Sequence, residues 1–455
     1  MTSPAGGVSG ASATPPLRLT GADCFILALD RIMRRNGQHG LNGQTHVLLD
    51  SAPDPEALQA AATRLAAAFP VLNAKVSRSF LTLVPAWKPA RQSPVLPVRC
   101  WREPGSNALD AIETPSLREW AENILNRPLV AREGCRNLRL DVVFLADGKA
   151  VLVLTWAHLL FDGKGAELLV GALLQNEPFS ADQPRTSKNP AEAPMSLRKR
   201  FATAKPVLER FFTLARNKYR SLSGPHPKPG LLRFIIKKLD ENQTAGVQNR
   251  ACDFTSPLFN AAFYLACAAR AHRQAFLSRG EDPPHYVVSI PVQIRRKGGA
   301  TTPFQNCVTV LFFCLKREDL DSLETAAAAA QTQFEEMMRN RLDTSFLHVL
   351  EMMKLLPAPF YMRFVGHQFA GEITSFFHSF TGNFAVPLDE VFGAKVLDAH
   401  HIPAVSAPPG SGLFMGIFKG RLSVTFSWRE NASSEKEAGI ITDHLLRDLT
   451  GDPLP

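Results

Sequence analysis

Residues 138–169, "LRLDVVFLADGKAVLVLTWAHLLFDGKGAELL", constrain the fold more than any other stretch of the chain. Two apolar runs are joined by Asp147-Gly148, a pair that readily supplies the backbone conformation of a tight hairpin turn. The second run, 150–157, is apolar nearly throughout, which predicts a central strand covered on both faces. From Lys164 onward the apolar positions return at helical spacing, so His158 to Gly163 fall on the turn between a buried strand and a helix. A strand that needs cover on both faces excludes an isolated hairpin and calls for a sheet packed against helices.

The flanking sequence supplies those partners. "TGADCFILALDRIMRR" (20–35) has helical spacing, "THVLLD" (45–50) reads as a strand, and "PDPEALQAAATRLAAAFPVLNAKV" (53–76) reads as a helix. Asp54 is its cap, Pro55 stands at its first position and Pro70 is its stop. After several prolines the grammar repeats, with a helix at 256–279, strands "YVVSIPVQIRR" and "CVTVLFFCLK", and an Ala-rich helix at 321–340. An apolar stretch to 380 and the hairpin "GLFMGIFKGRLSVTFSWRE" complete it. "GKAVLVLTWAH" and "GRLSVTFSWRE" look like copies of one unit, with Arg429 or a neighbour where the first copy has His158. At 455 residues the chain suits two similar α/β halves.

The expected division is a flexible tail at 1–16, a first half at 17–175, a linker at 176–230 and a second half at 231–455. Within the linker, Leu197, Phe201, Ala204, Leu208, Phe211 and Ala215 share one helical face. That face is expected to pack on the body, leaving a solvated basic face, with contact to a membrane surface as the alternative. The segment "AVSAPPGSG" (404–412) reads as a loop crossing between the halves.

Composition narrows the function classes. Hydrophobic residues make up 45% and charged residues 20%, a globular balance. No apolar run reaches the eighteen or so residues of a membrane helix, and the first sixteen lack a secretory pattern, so a cytoplasmic location is expected. Seven scattered cysteines without a CxxC pair argue against a disulfide framework or a zinc knuckle. Adjacent His400 and His401 would point to opposite faces of an extended chain, so no metal site is expected there. The net charge of +9 suits nucleic acid, anionic lipid or a phosphate-bearing substrate such as a coenzyme A thioester. No nucleic-acid signature accompanies it, and nucleic acid is not expected as a partner.

By chance, a His-x-x-x-Asp-Gly would occur about 0.03 times in a chain of this composition, so its presence at a strand exit is informative. An imidazole held there can take a proton from a hydroxyl or amine. Asp162 is suited to pin the turn by pairing with an arginine, and Gly163 to let the backbone turn where a side chain would clash. No GxSxG elbow competes as a nucleophile.

Several landmarks occur in order. "LTGADCFILAL" and "PEALQAAATRLAAAFPVLNAKV" are followed by "WAHLLFDG", "IPVQIRR", "PFQNCVTVLFFCL" and "HSFTGNF". On these the chain, from about residue 17, resembles the chloramphenicol acetyltransferase-like superfamily of acyltransferases. This includes peptide-synthetase condensation domains, wax ester/diacylglycerol acyltransferases and polyketide-associated acyltransferases. "WAHLLFDG" is similar to the HHxxxDG signature, with Ala157 in place of its first histidine.

The resemblance implies two mixed-sheet halves forming a V around a central channel. His158 would be the general base, with Asp162 and Gly163 beside it. Arg295 would pair with Asp162, and Asn306 would correspond to the "GN" segment. Ser379, Thr381 and Asn383 would be candidate oxyanion or substrate contacts, together with Asn306. It further implies direct transfer from a thioester to a small alcohol or amine without an acyl-enzyme. Acyl-CoA would be the co-substrate and no cofactor would be bound. The alternatives are a condensation-type enzyme using an acyl carrier protein as partner, and a catalytically silent binding protein.

Overall fold

The hairpin forms where the sequence demands it: strands at Leu138–Phe144 and Ala150–Ala157 meet through a turn in which Gly148 takes φ +83°. The computed structural model describes residues 17–78, 84–90, 95–105, 112–113, 116–130, 135–174, 196–295, 303–356, 360 and 371–451. The expected tail at 1–16 and the first part of the linker lie outside the described residues.

The first part of the chain runs α1 (Gly21–Arg35), β1 (Asn42–Leu49), α2 (Pro55–Ala68), β2 (Lys75–Arg78), β3 (Pro85–Lys88), β4 (Val98–Arg102) and β5 (Ile112–Glu113). It continues through α3 (Leu117–Leu125), β6 (Leu138–Phe144), β7 (Ala150–Ala157) and α4 (Gly163–Leu174). After α5 (Leu197–Ala215) come β8 (Leu232–Lys238), α6 (Glu241–Phe254), α7 (Asn260–Ser278), β9 (His285–Gln293), β10 (Val308–Lys316), α8 (Leu323–Arg339) and α9 (Leu342–Met353). The chain closes with β11 (Phe376–Asn383), β12 (Glu390–Val391), β13 (Ala394–Ile402), β14 (Ser411–Phe418), β15 (Arg421–Arg429) and α10 (Glu435–Thr450).

Two mixed sheets result, ordered β12-β13-β1-β7-β6-β4-β5 and β10-β9-β11-β14-β15-β8, each with its own hydrophobic core. This is the mixed α/β, two-lobed architecture expected. β7 is central and buried from Ala150 to Trp156, which accounts for its uninterrupted apolar run. α2 starts at Pro55 with Asp54 accepting from the N–H groups of Glu56 (2.9 Å) and Ala57 (3.2 Å).

The sheets do not divide cleanly at the linker. β13, far along the second half, pairs antiparallel with β1 in the register Thr45↔His401, so the first sheet is completed by the second half. The chain then crosses through residues 403–410 to β14 in the other sheet, the crossing expected of "AVSAPPGSG". In the opposite sense α1 lies on α9, where Gly21 N–H donates to Glu351 Oε1 at 2.6 Å. A Cβ on Gly21 would collide with the α9 main chain, so the close approach requires glycine.

The α5 face drawn from the sequence is rotated. The buried stripe is Ala204, Val207 and Leu214, with Phe211 edge-on to Phe312 (5.2 Å) and Phe346 (5.7 Å), whereas Phe201 is 59% exposed. The seam is chosen by β10 and α9, and the helix's own periodicity cannot register that choice. No helix among the described residues is long and apolar enough to cross a membrane.

Candidate active site

The turn that carries His158 is held from three sides. Its N–H continues the sheet by donating to the Leu41 carbonyl at 2.8 Å, just before β1 begins. Its carbonyl accepts from Asn306 Nδ2 at 3.0 Å, and the same amide donates to Asp23 Oδ1 at 2.9 Å. Asn306 N–H also donates to Asp23 Oδ1, at 2.8 Å, while Asp23 closes the capping box at the start of α1 with Thr20. Burial pushes the Asp23 carboxyl up, against the hydrogen bonds from Asn306 and Thr20. Asn306 is therefore a buried strut behind the histidine. Its expected role as an oxyanion or substrate contact is not what the structure shows, because its donors are spent on Asp23 and the His158 carbonyl.

The imidazole stands edge-on to Trp156, ring centres 5.6 Å apart, and lines a cavity of about 300 Å³ between the two sheets. Burial holds the His158 pKa below its ordinary value of 6.5. Its own main chain, the Asp162 charge, the Phe161 main chain and Asn306 pull the other way. A lowered pKa leaves the imidazole neutral at physiological pH, the form that accepts a proton.

Asp162 does more than pin a turn. Oδ1 accepts from Arg295 at 2.5 Å and from Gly165 N–H at 2.8 Å, and Oδ2 accepts from Cys307 N–H at 2.8 Å. One carboxylate thus caps α4 and ties it to β9 and β10 of the other sheet. The expected pair with Arg295 is present and buried, each side chain 7% exposed. Arg295 also donates to the carbonyls of Gln305 (3.1 Å) and Pro303 (3.4 Å), so its guanidinium is committed inward. Gln305 reaches this position at φ +74°, a conformation that side-chain-bearing residues seldom adopt.

The glycine assignment needs correction. A Cβ on Gly163 would find only His401 Cδ2, at 4.0 Å, and Gly163 lacks the positive φ that would demand glycine. The crowded position is Gly165, where a Cβ would collide with the Pro303 carbonyl oxygen and lie 2.6 Å from Phe161 Cβ. Gly163 instead lines the cavity and keeps it open beside His401.

Ser379 and Thr381, on β11, both line the cavity, and the Thr381 hydroxyl donates to the Met415 carbonyl at 3.2 Å. Asn383 is exposed and its carbonyl accepts from Lys164 Nζ at 2.5 Å, so it tethers α4 to the end of β11 and lies off the cavity wall. Most of the wall is apolar, with Phe25, Ile26 and Leu29 of α1 and Val308, Val310 and Phe312 of β10 among its lining.

Sequence reasoning missed a second polar cluster on the same wall. Glu167, 1% exposed, accepts from Lys164 Nζ (2.9 Å) and Ala385 N–H (2.5 Å) and pairs with His401 Nε2 (3.1 Å). His401 Nδ1 meets the Thr45 hydroxyl at 2.9 Å, and that hydroxyl accepts from Trp156 Nε1 at 3.2 Å. The chain ends at the ring that abuts His158, and a Cβ on Gly43 would come within 2.8 Å of that indole. His401 is next to His400 in sequence, whose ring points to the other face of β13, toward His46 at 5.2 Å. Its partners sit on β1, β7 and α4, where no sequence spacing connects them. Burial and these donors together set Glu167's titration: burial raises its pKa, but His401 and Lys164 bring the net below the ordinary carboxylate value.

No protein-family model matches the sequence, and no curated protein matches it. Solved structures do match over nearly the whole length. The first condensation domain of the CDA synthetase is similar at TM-score 0.65 and 15% identity, covering 98% of each chain. The trichothecene 15-O-acetyltransferase of Fusarium sporotrichioides matches at 0.70 and 12%, over 96% of this chain and 95% of that one. The starter condensation domain of rhizomide synthetase, solved with C8-CoA and Leu-SNAC, matches at 0.63 and 13%, over 96% and 95%. At these identities the likeness is one of fold. The chain has the two-lobed fold shared by condensation domains and chloramphenicol acetyltransferase-like enzymes.

Proposed function

We propose that the protein is an acyltransferase that moves an acyl group from a thioester, acyl-CoA by preference, to a hydroxyl or amine, with His158 as general base. The observation that carries this reading is the placement of a half-buried imidazole, pKa lowered, at the wall of a cavity shared by both lobes. Chemically, a nitrogen of His158 takes the acceptor proton as the acceptor oxygen or nitrogen attacks the thioester carbonyl. The C–S bond then breaks and the departing thiolate takes that proton back, so no acyl-enzyme forms. Ser379, on β11 at the cavity wall, is the candidate to donate to the developing oxyanion, since the Thr381 hydroxyl already donates to the Met415 carbonyl. The apolar wall of α1 and β10 favours an apolar acyl group over acetyl alone. The buried Arg295–Asp162 pair holds the turn that carries the base.

The test is free thiol release from a panel of acyl-CoAs offered with alcohols and amines, wild type against His158→Ala. Removing a general base is expected to cost about 10²–10⁴-fold in rate. Equal turnover by the two proteins would overturn the mechanism. Transfer from an acylated carrier protein but from no free acyl-CoA would move the donor to a carrier, and no transfer from either would leave a binding protein with this fold.

A further inference from the structure

The outer face of α5 sets two exposed aromatic rings among cations. Phe201 is 59% and Phe212 51% exposed, and both sit on the stripe opposite the buried Ala204, Val207 and Leu214. Eleven residues apart, the two rings project on one side, about three turns or 16 Å from each other along the axis. Exposed Arg198, Lys205 and Arg216 share this stripe with them, Lys205 being paired to Glu209 at 3.6 Å. Residues 197–220 hold eight Lys and Arg against one Glu, a local net of +7 in a chain whose total is +9.

We propose that α5 docks the protein on an anionic lipid surface, its axis in the plane of the interface. Phe201 and Phe212 enter the headgroup layer and the flanking cations meet lipid phosphates. The charge is complementary to an anionic leaflet, and separate bulky rings divided by cations suit insertion between lipids. A protein partner would be expected to find clustered anchors, and this convex stripe keeps its two rings three turns apart. The inner side of the same helix supplies a functional reason: Phe211 packs on Phe312, and Phe312 lines the cavity. The face is thus one side chain removed from the apolar wall that would hold a lipid-derived group. The docking itself does not depend on the acyltransferase reading, and its test uses no turnover.

The experiment is vesicle co-sedimentation of the full chain with phosphatidylcholine vesicles and with vesicles containing phosphatidylserine. Wild type is expected to bind the anionic vesicles at least about tenfold more tightly, and less so as salt is raised. The double variant Phe201→Ser/Phe212→Ser should weaken that binding by about tenfold, with near-UV circular dichroism unchanged because both rings lie outside the core. Absent binding to the anionic vesicles, or equal binding by wild type and the double variant, would overturn the proposal. Binding of an acidic protein to this face without binding to vesicles would also overturn it.

Discussion

At the end of β7 the N–H of His158 donates to the Leu41 carbonyl at 2.8 Å, just before β1; at the end of β15 the N–H of Glu430 donates to the Leu231 carbonyl at 3.0 Å, just before β8. The offset of 272 positions (158 to 430) carries on into the following helix. Asp162 caps α4 by accepting from Gly165 N–H at 2.8 Å, and Ser434 caps α10 by accepting from Glu437 N–H at 3.2 Å. The strand, turn and capped helix are therefore one unit used twice. What differs is what the turn carries. In the second unit Arg429, 3% exposed, spends its guanidinium on the Val405 and Gly230 carbonyls, and Glu430 pairs with Arg233. Burial pushes Arg429 down to about 10. The first unit leaves its exit residue on a cavity, and its cap is a carboxylate with an oxygen to spare for the other sheet. The comparison separates what the scaffold needs, a cap oxygen, from what the site adds, a buried charge that joins the lobes.

Converting one unit into the other tests that separation. Asp162→Ser installs the cap of the second unit and removes the charge, leaving Arg295 buried and unpaired. A loss of about 3–5 kcal/mol in urea unfolding is expected. A loss below about 1 kcal/mol would mean that capping alone accounts for Asp162 and that the lobes are joined by other contacts. Gly165, the counterpart of Glu437, should cost about 1–3 kcal/mol when replaced by Ala, since its Cβ meets the Pro303 carbonyl. Gly163→Ala should stay within about 0.5 kcal/mol. Comparable losses at the two positions would show that the motif glycine, and not the packing of α4 on residues 303–307, is the constraint.

The smallest effect is a shift in pH dependence. Burial lowers the His158 pKa, and under the proposed mechanism the base is the neutral form, so turnover is expected to be level at high pH and to fall as pH drops through a midpoint below 6.5. The Asp162 charge raises that pKa, so Asp162→Ser should move the acid limb lower still. A midpoint at or above 6.5, or no movement in the variant, would detach the base from its buried setting.

Some of this was legible because it is local. Pro55 and Asp54 start α2, Asp147-Gly148 closes the hairpin, and an unbroken apolar run makes β7 central, each through forces acting within a few residues. The two similar halves followed from that grammar, and the two-lobed fold and the Asp162–Arg295 pair from the resemblance that the landmarks carry. The tertiary structure alone decided that β13 would complete the first sheet and that Asn306 would brace His158 from behind. It also placed the packing constraint on Gly165, left Phe201 outside, and gave His401 to Glu167 and Thr45. The physical reason is common to all five. Each depends on which surface arrives from far along the chain, and a buried polar group or a helix face takes its role from the partner that desolvates it.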